Sequence, residues 1–75
     1  MKVKVYVQTD CVQCKMTMNL LRQMQVPFET VNLNDYPEER SRLKELGYQA
    51  TPVVITDKER WAGFCPDKIK ELSEQ

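Results

Sequence analysis

The sequence predicts an α/β fold with the element order β-α-β-α-β-β-α. Three observations carry that expectation. Residues 2–7, KVKVYV, alternate polar and apolar as a strand does. From Cys11 the apolar residues switch to helical spacing, and a second alternating run comes at 28–33. Late in the chain, two short runs rich in β-branched or aromatic residues, 53–55 and 60–62, flank a polar tetrad that reads as a turn.

In the first strand Val3, Val5 and Val7 share one face and Tyr6 stands on the other. Thr9 and Asp10 break the strand and can cap the helix after it. From Cys11 to about Gln25, Met16, Leu20, Leu21 and Met24 fall at i, i+4, i+5 and i+8, an apolar stripe, while Met18 falls off it. Val26-Pro27 ends this helix, because the residue before a proline avoids helical angles. Phe28, Val31 and Leu33 mark the second strand, and Asn34-Asp35-Tyr36 a turn. Pro37 suits the first position of a second helix, whose positive end Glu38 and Glu39 favour. Leu43 and Leu46 give that helix a narrow buried edge, and Gly47 stands where a C-terminal stop is expected. Pro52 starts the run Val53-Val54-Ile55, 56–59 form a hairpin turn, and Arg60-Trp61-Ala62 return. Gly63 ends the hairpin, and Pro66 and Asp67 open a last helix with Ile69 and Leu72 inward. The first helix joins two strands expected to be parallel, a right-handed β-α-β unit, and the last two strands form an antiparallel hairpin.

The 75 residues are read as a single domain, 1–75, with one small core. Lys plus Arg is 11 and Asp plus Glu is 11, so the net charge is zero. That balance argues against nucleic acid or an anionic membrane as the main partner. The alternating lysines of the N-terminus stand where a signal peptide needs an unbroken apolar stretch. No segment approaches the ~20 apolar residues of a membrane span. The expected setting is the cytoplasm, where a Cys-x-x-Cys is catalytic or metal-binding rather than structural.

Cys11 and Cys14 form such a pair, and Cys65 is the third cysteine. A disulfide between Cys11 and Cys14 encloses only two residues, so it removes little freedom from the unfolded chain and is a poor staple. Structural zinc takes four ligands, whereas this chain has no histidine and only one other cysteine, so no resident metal or other cofactor is expected. A redox pair fits better. Cys11 falls at the junction of the first strand and first helix, where unpaired N–H groups and the positive end of the helix dipole gather. Such a place lowers a thiol's pKa below its free value of ~8.5. Cys14, one turn further in, can reach the Cys11 sulfur with less exposure. Cys11 is then the attacking thiol and Cys14 the one that resolves the mixed disulfide. Asp10 opposes a thiolate and Lys15 favours it, but both read as solvated charges.

Asp10-Cys11-Val12-Gln13-Cys14, Ala50-Thr51-Pro52-Val53-Val54 and Trp61-Ala62-Gly63-Phe64-Cys65-Pro66-Asp67 together carry a resemblance. The chain resembles the NrdH-redoxins, glutaredoxin-like electron donors to class Ib ribonucleotide reductase, along essentially its whole length. The resemblance implies a thioredoxin-like fold, a four-stranded mixed sheet with helices on both faces. It implies a cis peptide before Pro52, beside the cysteine pair, where the Thr51 backbone can pair with an extended partner segment. It also implies electrons drawn from thioredoxin reductase rather than glutathione. Glutaredoxins usually carry Gly-Gly and an acidic helix start for glutathione; here Gly63 is single, Phe64 is bulky and Asp67 is the one acid. The nearest alternatives are a glutathione-dependent glutaredoxin and, in a different class, a metal-binding or thiol-based regulatory module without turnover.

Cys65 departs from the family, which commonly has a basic residue there. It reads as a small, partly buried apolar residue, with a third redox thiol as the sharper alternative. Trp61 and Phe64 are candidates for an apolar patch that docks a partner, against simple packing in the core. Tyr36 and Tyr48 look structural, and Arg40, Arg42, Lys44 and Glu45 read as a solvated helix face.

Overall fold

The computed structural model describes residues 2–74; the expected domain, 1–75, extends one residue beyond them at each end. The elements run β1 (Val3–Val7), α1 (Val12–Gln23), β2 (Glu29–Asn32), α2 (Pro37–Glu45), β3 (Val53–Thr56), β4 (Arg60–Ala62) and α3 (Pro66–Ser73). The four strands form one sheet in the order β2-β1-β3-β4. β1 runs parallel to β2, with Val5 opposite Thr30, and antiparallel to β3, with Val5 opposite Val54. β3 and β4 are the expected hairpin, with Val54 opposite Trp61. This is the thioredoxin-like sheet that the resemblance implies.

The two-residue period of the strands divides the core in two. Val3, Val5, Val7, Val54 and Trp61 face α1 and α3 and pack with Leu21, Ile69 and Leu72. Tyr6 and Val53 face the other way and pack with Leu33 and Leu43 beneath α2. Burial pushes the Tyr6 phenol above its ordinary value, with Glu39 adding to the effect and Arg42 opposing it.

α1 is rotated from its expected setting. Its buried residues are Cys14, Thr17 and Leu21, while Met16 is 42% exposed. Met18, expected off the stripe, is half-buried against the core with Leu20 and Met24. Cys14 turns inward, and positions three, four and seven residues on go with it. α2 is narrower than expected: Leu43 is buried but Leu46, at its C-cap, is 43% exposed.

Both long helices stop through the same hydrogen-bond pattern. Gly47 takes φ +94, its N–H reaches the Lys44 carbonyl at 3.0 Å, and the Tyr48 N–H reaches Leu43 at 2.9 Å. At the end of α1 Gln25 takes φ +59, with Gln25 bonded to Arg22 and Val26 to Leu21. The helix therefore closes before the Val26-Pro27 step expected to end it. The β3–β4 turn is held by Thr56, whose hydroxyl accepts the Glu59 N–H at 2.9 Å.

Candidate redox site

The sulfurs of Cys11 and Cys14 are joined in a disulfide, with Cα atoms 5.2 Å apart. Thr9 and Asp10 carry the chain from β1 to α1. Asp10 takes φ +60, a conformation asparagine and aspartate tolerate better than most residues. The Thr9 N–H donates to Asn34 Oδ1 at 3.1 Å, tying this turn to the loop after β2. Neither Thr9 nor Asp10 caps α1. Cys11 is itself the N-cap, and its sulfur accepts the Cys14 N–H at 3.2 Å. Serine, threonine or aspartate normally supplies an oxygen at this position. Here a sulfur takes the place of the oxygen, so one N–H donor that an anion would need, that of Cys14, already points at it.

The two cysteines differ in access, as their order on the helix predicts. Cys11 is half-buried, whereas Cys14 is 1% exposed. The Thr51–Pro52 peptide is cis, and the Thr51 hydroxyl lies 3.5 Å from Cys11 Sγ. Pro52 is buried, and its carbonyl accepts the Gly63 N–H at 2.8 Å. Gly63, at φ +84, would present a Cβ 3.8 Å from Gln13 Oε1. Three separated segments thus meet at the disulfide: the start of α1, the Thr51–Pro52 loop and the exit of β4.

The two aromatics expected to share a docking patch are placed differently. Trp61 is turned into the core, 7% exposed, because it sits mid-strand on the face opposite Ala62 and Arg60, which are exposed. Phe64, in the loop after Gly63, is half-buried and remains the aromatic with accessible surface. Val12, 71% exposed, and Met16 add apolar surface on α1; helical periodicity does not single out Val12 and places Met16 in the core. Cys65 is partly buried and donates to the Ala62 carbonyl at 3.7 Å.

Lys44 is exposed, as expected of a solvated face, and Arg40 is half-buried; both also line an open cleft with Gln8, Tyr48 and Thr51. Their spacing of four residues places both on one side of α2, a signal the sequence does contain. Among the described residues, no carboxylate lines this cleft. Among the described residues, no group of three or more histidine, cysteine or acidic side chains is gathered to hold a metal ion, and no helix is long and apolar enough to cross a membrane.

A disulfide at a helix start in this sheet defines a thiol–disulfide oxidoreductase of the thioredoxin-like class. The glutaredoxin family model matches residues 3–61. The glutaredoxin-like protein NrdH of Escherichia coli K12 is 36% identical over 72 residues, covering 96% of this chain and 89% of that one. Its counterpart in Lactococcus lactis IL1403 is 32% identical over 71 residues, covering 95% and 99%. The solved structure of NrdH-redoxin from Escherichia coli superposes with a TM-score of 0.93 at 36% identity, covering 96% of this chain and 95% of that one. The chain belongs to the glutaredoxin family and, within it, to the NrdH glutaredoxin-like proteins.

Proposed function

We propose that this protein is a cytoplasmic dithiol electron donor that reduces a class Ib ribonucleotide reductase and is itself reduced by thioredoxin reductase. One observation carries the reading: a half-exposed sulfur, Cys11, caps α1 and accepts an amide N–H, while its partner Cys14 lies buried behind it. The likeness to NrdH proteins supports the choice of partner. The solved Escherichia coli relative is described as having a thioredoxin-like activity profile, which supports the choice of reductase.

In the cycle, the Cys11 thiolate attacks one sulfur of the partner's disulfide. A Cys11–partner bond forms, and the partner's other sulfur leaves as a thiolate and takes a proton from water. Cys14 then gives up its proton and attacks the Cys11 sulfur. The Cys11–Cys14 bond forms, and the second partner sulfur leaves with its electron pair. Two electrons have passed to the partner, and the reductase returns two. The Cys14 N–H holds the Cys11 thiolate in the reduced protein. Thr51 and the cis-Pro52 loop present backbone to an extended partner segment by strand addition. Phe64 offers it an apolar contact.

The test is a paired reductant assay. NADPH with thioredoxin reductase should drive reduction of a protein disulfide through this protein, and glutathione with glutathione reductase should do so poorly. Efficient coupling to glutathione would identify a glutathione-dependent glutaredoxin instead. Stoichiometric zinc or iron in protein purified under reducing conditions, without turnover, would identify a metal-binding regulatory module.

A further inference from the structure

Among the described residues, two buried side chains carry a polar atom without a hydrogen-bond partner, the Trp61 indole and Thr17, and Thr17 is the more deeply buried, 0% exposed. Its hydroxyl has no hydrogen-bond partner. A threonine inside a helix ordinarily donates to the carbonyl three or four residues back, here Cys14 or Gln13. Thr17 uses neither. An unpaired buried hydroxyl is costly, and an apolar group of the same shape avoids that cost. Packing alone therefore favours valine at this position.

The position of Thr17 shows what the hydroxyl serves. It stands one turn after Cys14 on the buried face Cys14–Thr17–Leu21 of α1. Side chains three apart on a helix are neighbours, and each leans toward the N-terminus, so Thr17 leans back toward Cys14. While the disulfide is closed, the Cys14 sulfur is neutral and bonded to Cys11. Two-electron reduction, with two protons taken up, frees that sulfur. Cys14 is 1% exposed in the disulfide form, so a freed sulfur that stays in place is out of reach of water.

Resting on the dithiol cycle proposed above, we infer that Thr17 is a positioning residue for the redox couple: its hydroxyl is unpartnered while the disulfide is closed and donates to the Cys14 sulfur when the disulfide opens. The bond favours the dithiol over the disulfide. It also holds the buried Cys14 thiolate, with no second residue recruited, when Cys14 gives up its proton to attack the Cys11 mixed disulfide.

The experiment is equilibration of wild type, Thr17→Val and Thr17→Ser against a dithiothreitol couple, with thermal unfolding of both redox forms. Thr17→Val should move the equilibrium about tenfold toward the disulfide, ~30 mV for a two-electron couple. Its oxidised form should melt at or above wild type and its reduced form below. Thr17→Ser, which keeps the hydroxyl, should stay within about threefold of wild type. A potential unchanged in Thr17→Val, a shift toward the dithiol, or an equal shift in Thr17→Ser would overturn the inference. A structural role alone would move both melting temperatures together and leave the potential in place.

Discussion

Cys11 and Cys65 each occupy the N-cap of a helix, α1 and α3. At α1 the sulfur accepts the N–H of the residue three positions on, which is a second cysteine. At α3 the sulfur makes no capping bond and turns back to the Ala62 carbonyl. The residue three positions on is Lys68, held by Glu59 at 2.6 Å. The first turn of α1 carries no acid, whereas that of α3 carries Asp67 and begins with Pro66, which has no N–H to offer. The dipole at a helix start is common to both. What differs is the direction of the sulfur, the charge in the first turn and the residue one turn on.

Substitution of the α1 cysteines would break the comparison most directly. Cys11→Ser should abolish disulfide reduction, and Cys14→Ser should accumulate a mixed disulfide with the partner, seen by mass spectrometry as an adduct on Cys11. An adduct on Cys65 in that variant would mean that the two helix ends are equivalent after all. The rotation of α1 that turns Cys14 inward predicts a large stability contrast. Leu21→Ala, at a position 0% exposed, should cost about 2–5 kcal/mol in denaturant unfolding. Met16→Ala, on the same helix but exposed, should stay within about 0.5 kcal/mol. A larger loss in Met16→Ala than in Leu21→Ala would mean that α1 packs on its other side.

At α3 the expected effects are smaller. Cys65→Ser should leave kcat/KM for disulfide reduction within about twofold of wild type, and peroxide treatment of the oxidised protein should leave a free Cys65 thiol and no dimer by mass spectrometry. The smallest effect is alkaline. The hydrogen bond and charge of Glu59 raise the Lys68 pKa above 10.5. Folding then favours the protonated amine, so this contribution is complete below 10.5 and is lost as pH rises through the folded-state value. Tyr6, raised above 10.0 chiefly by burial, acts in the same direction, because its phenolate is disfavoured in the folded state. Melting temperature should therefore fall above about pH 10, and less steeply in Lys68→Gln. A flat profile across that range would remove both groups from the account.

Local chemistry made most of this molecule legible. The alternation of Val3, Val5 and Val7 marks β1 and its inward face, and Gly47 marks the end of α2. The Cys11–Cys14 pair is visible because its spacing puts both sulfurs on one helical turn. Rotation of α1 is not legible. Met16 and Thr17 are neighbours in sequence, and hydropathy prefers to bury the methionine; the inward turn of Cys14 decides otherwise. Sequence pattern points to the usual oxygen residues, Thr9 and Asp10, for the N-cap, because a capping sulfur has no compositional signal. Trp61 could face either way until the strand pairing set its side of the sheet opposite Val54. The cleft under Arg40 and Lys44 depends on where the Thr51 loop lies, and no local pattern encodes that distance.

The central claim is that α1 stabilises negative charge on Cys11. Titration of the thiolate absorbance of the reduced protein, in a Cys14→Ser, Cys65→Ser background that leaves Cys11 as the sole thiol, measures this directly. The account predicts ionisation below the ~8.5 of a free cysteine. A midpoint at or above that value would contradict it.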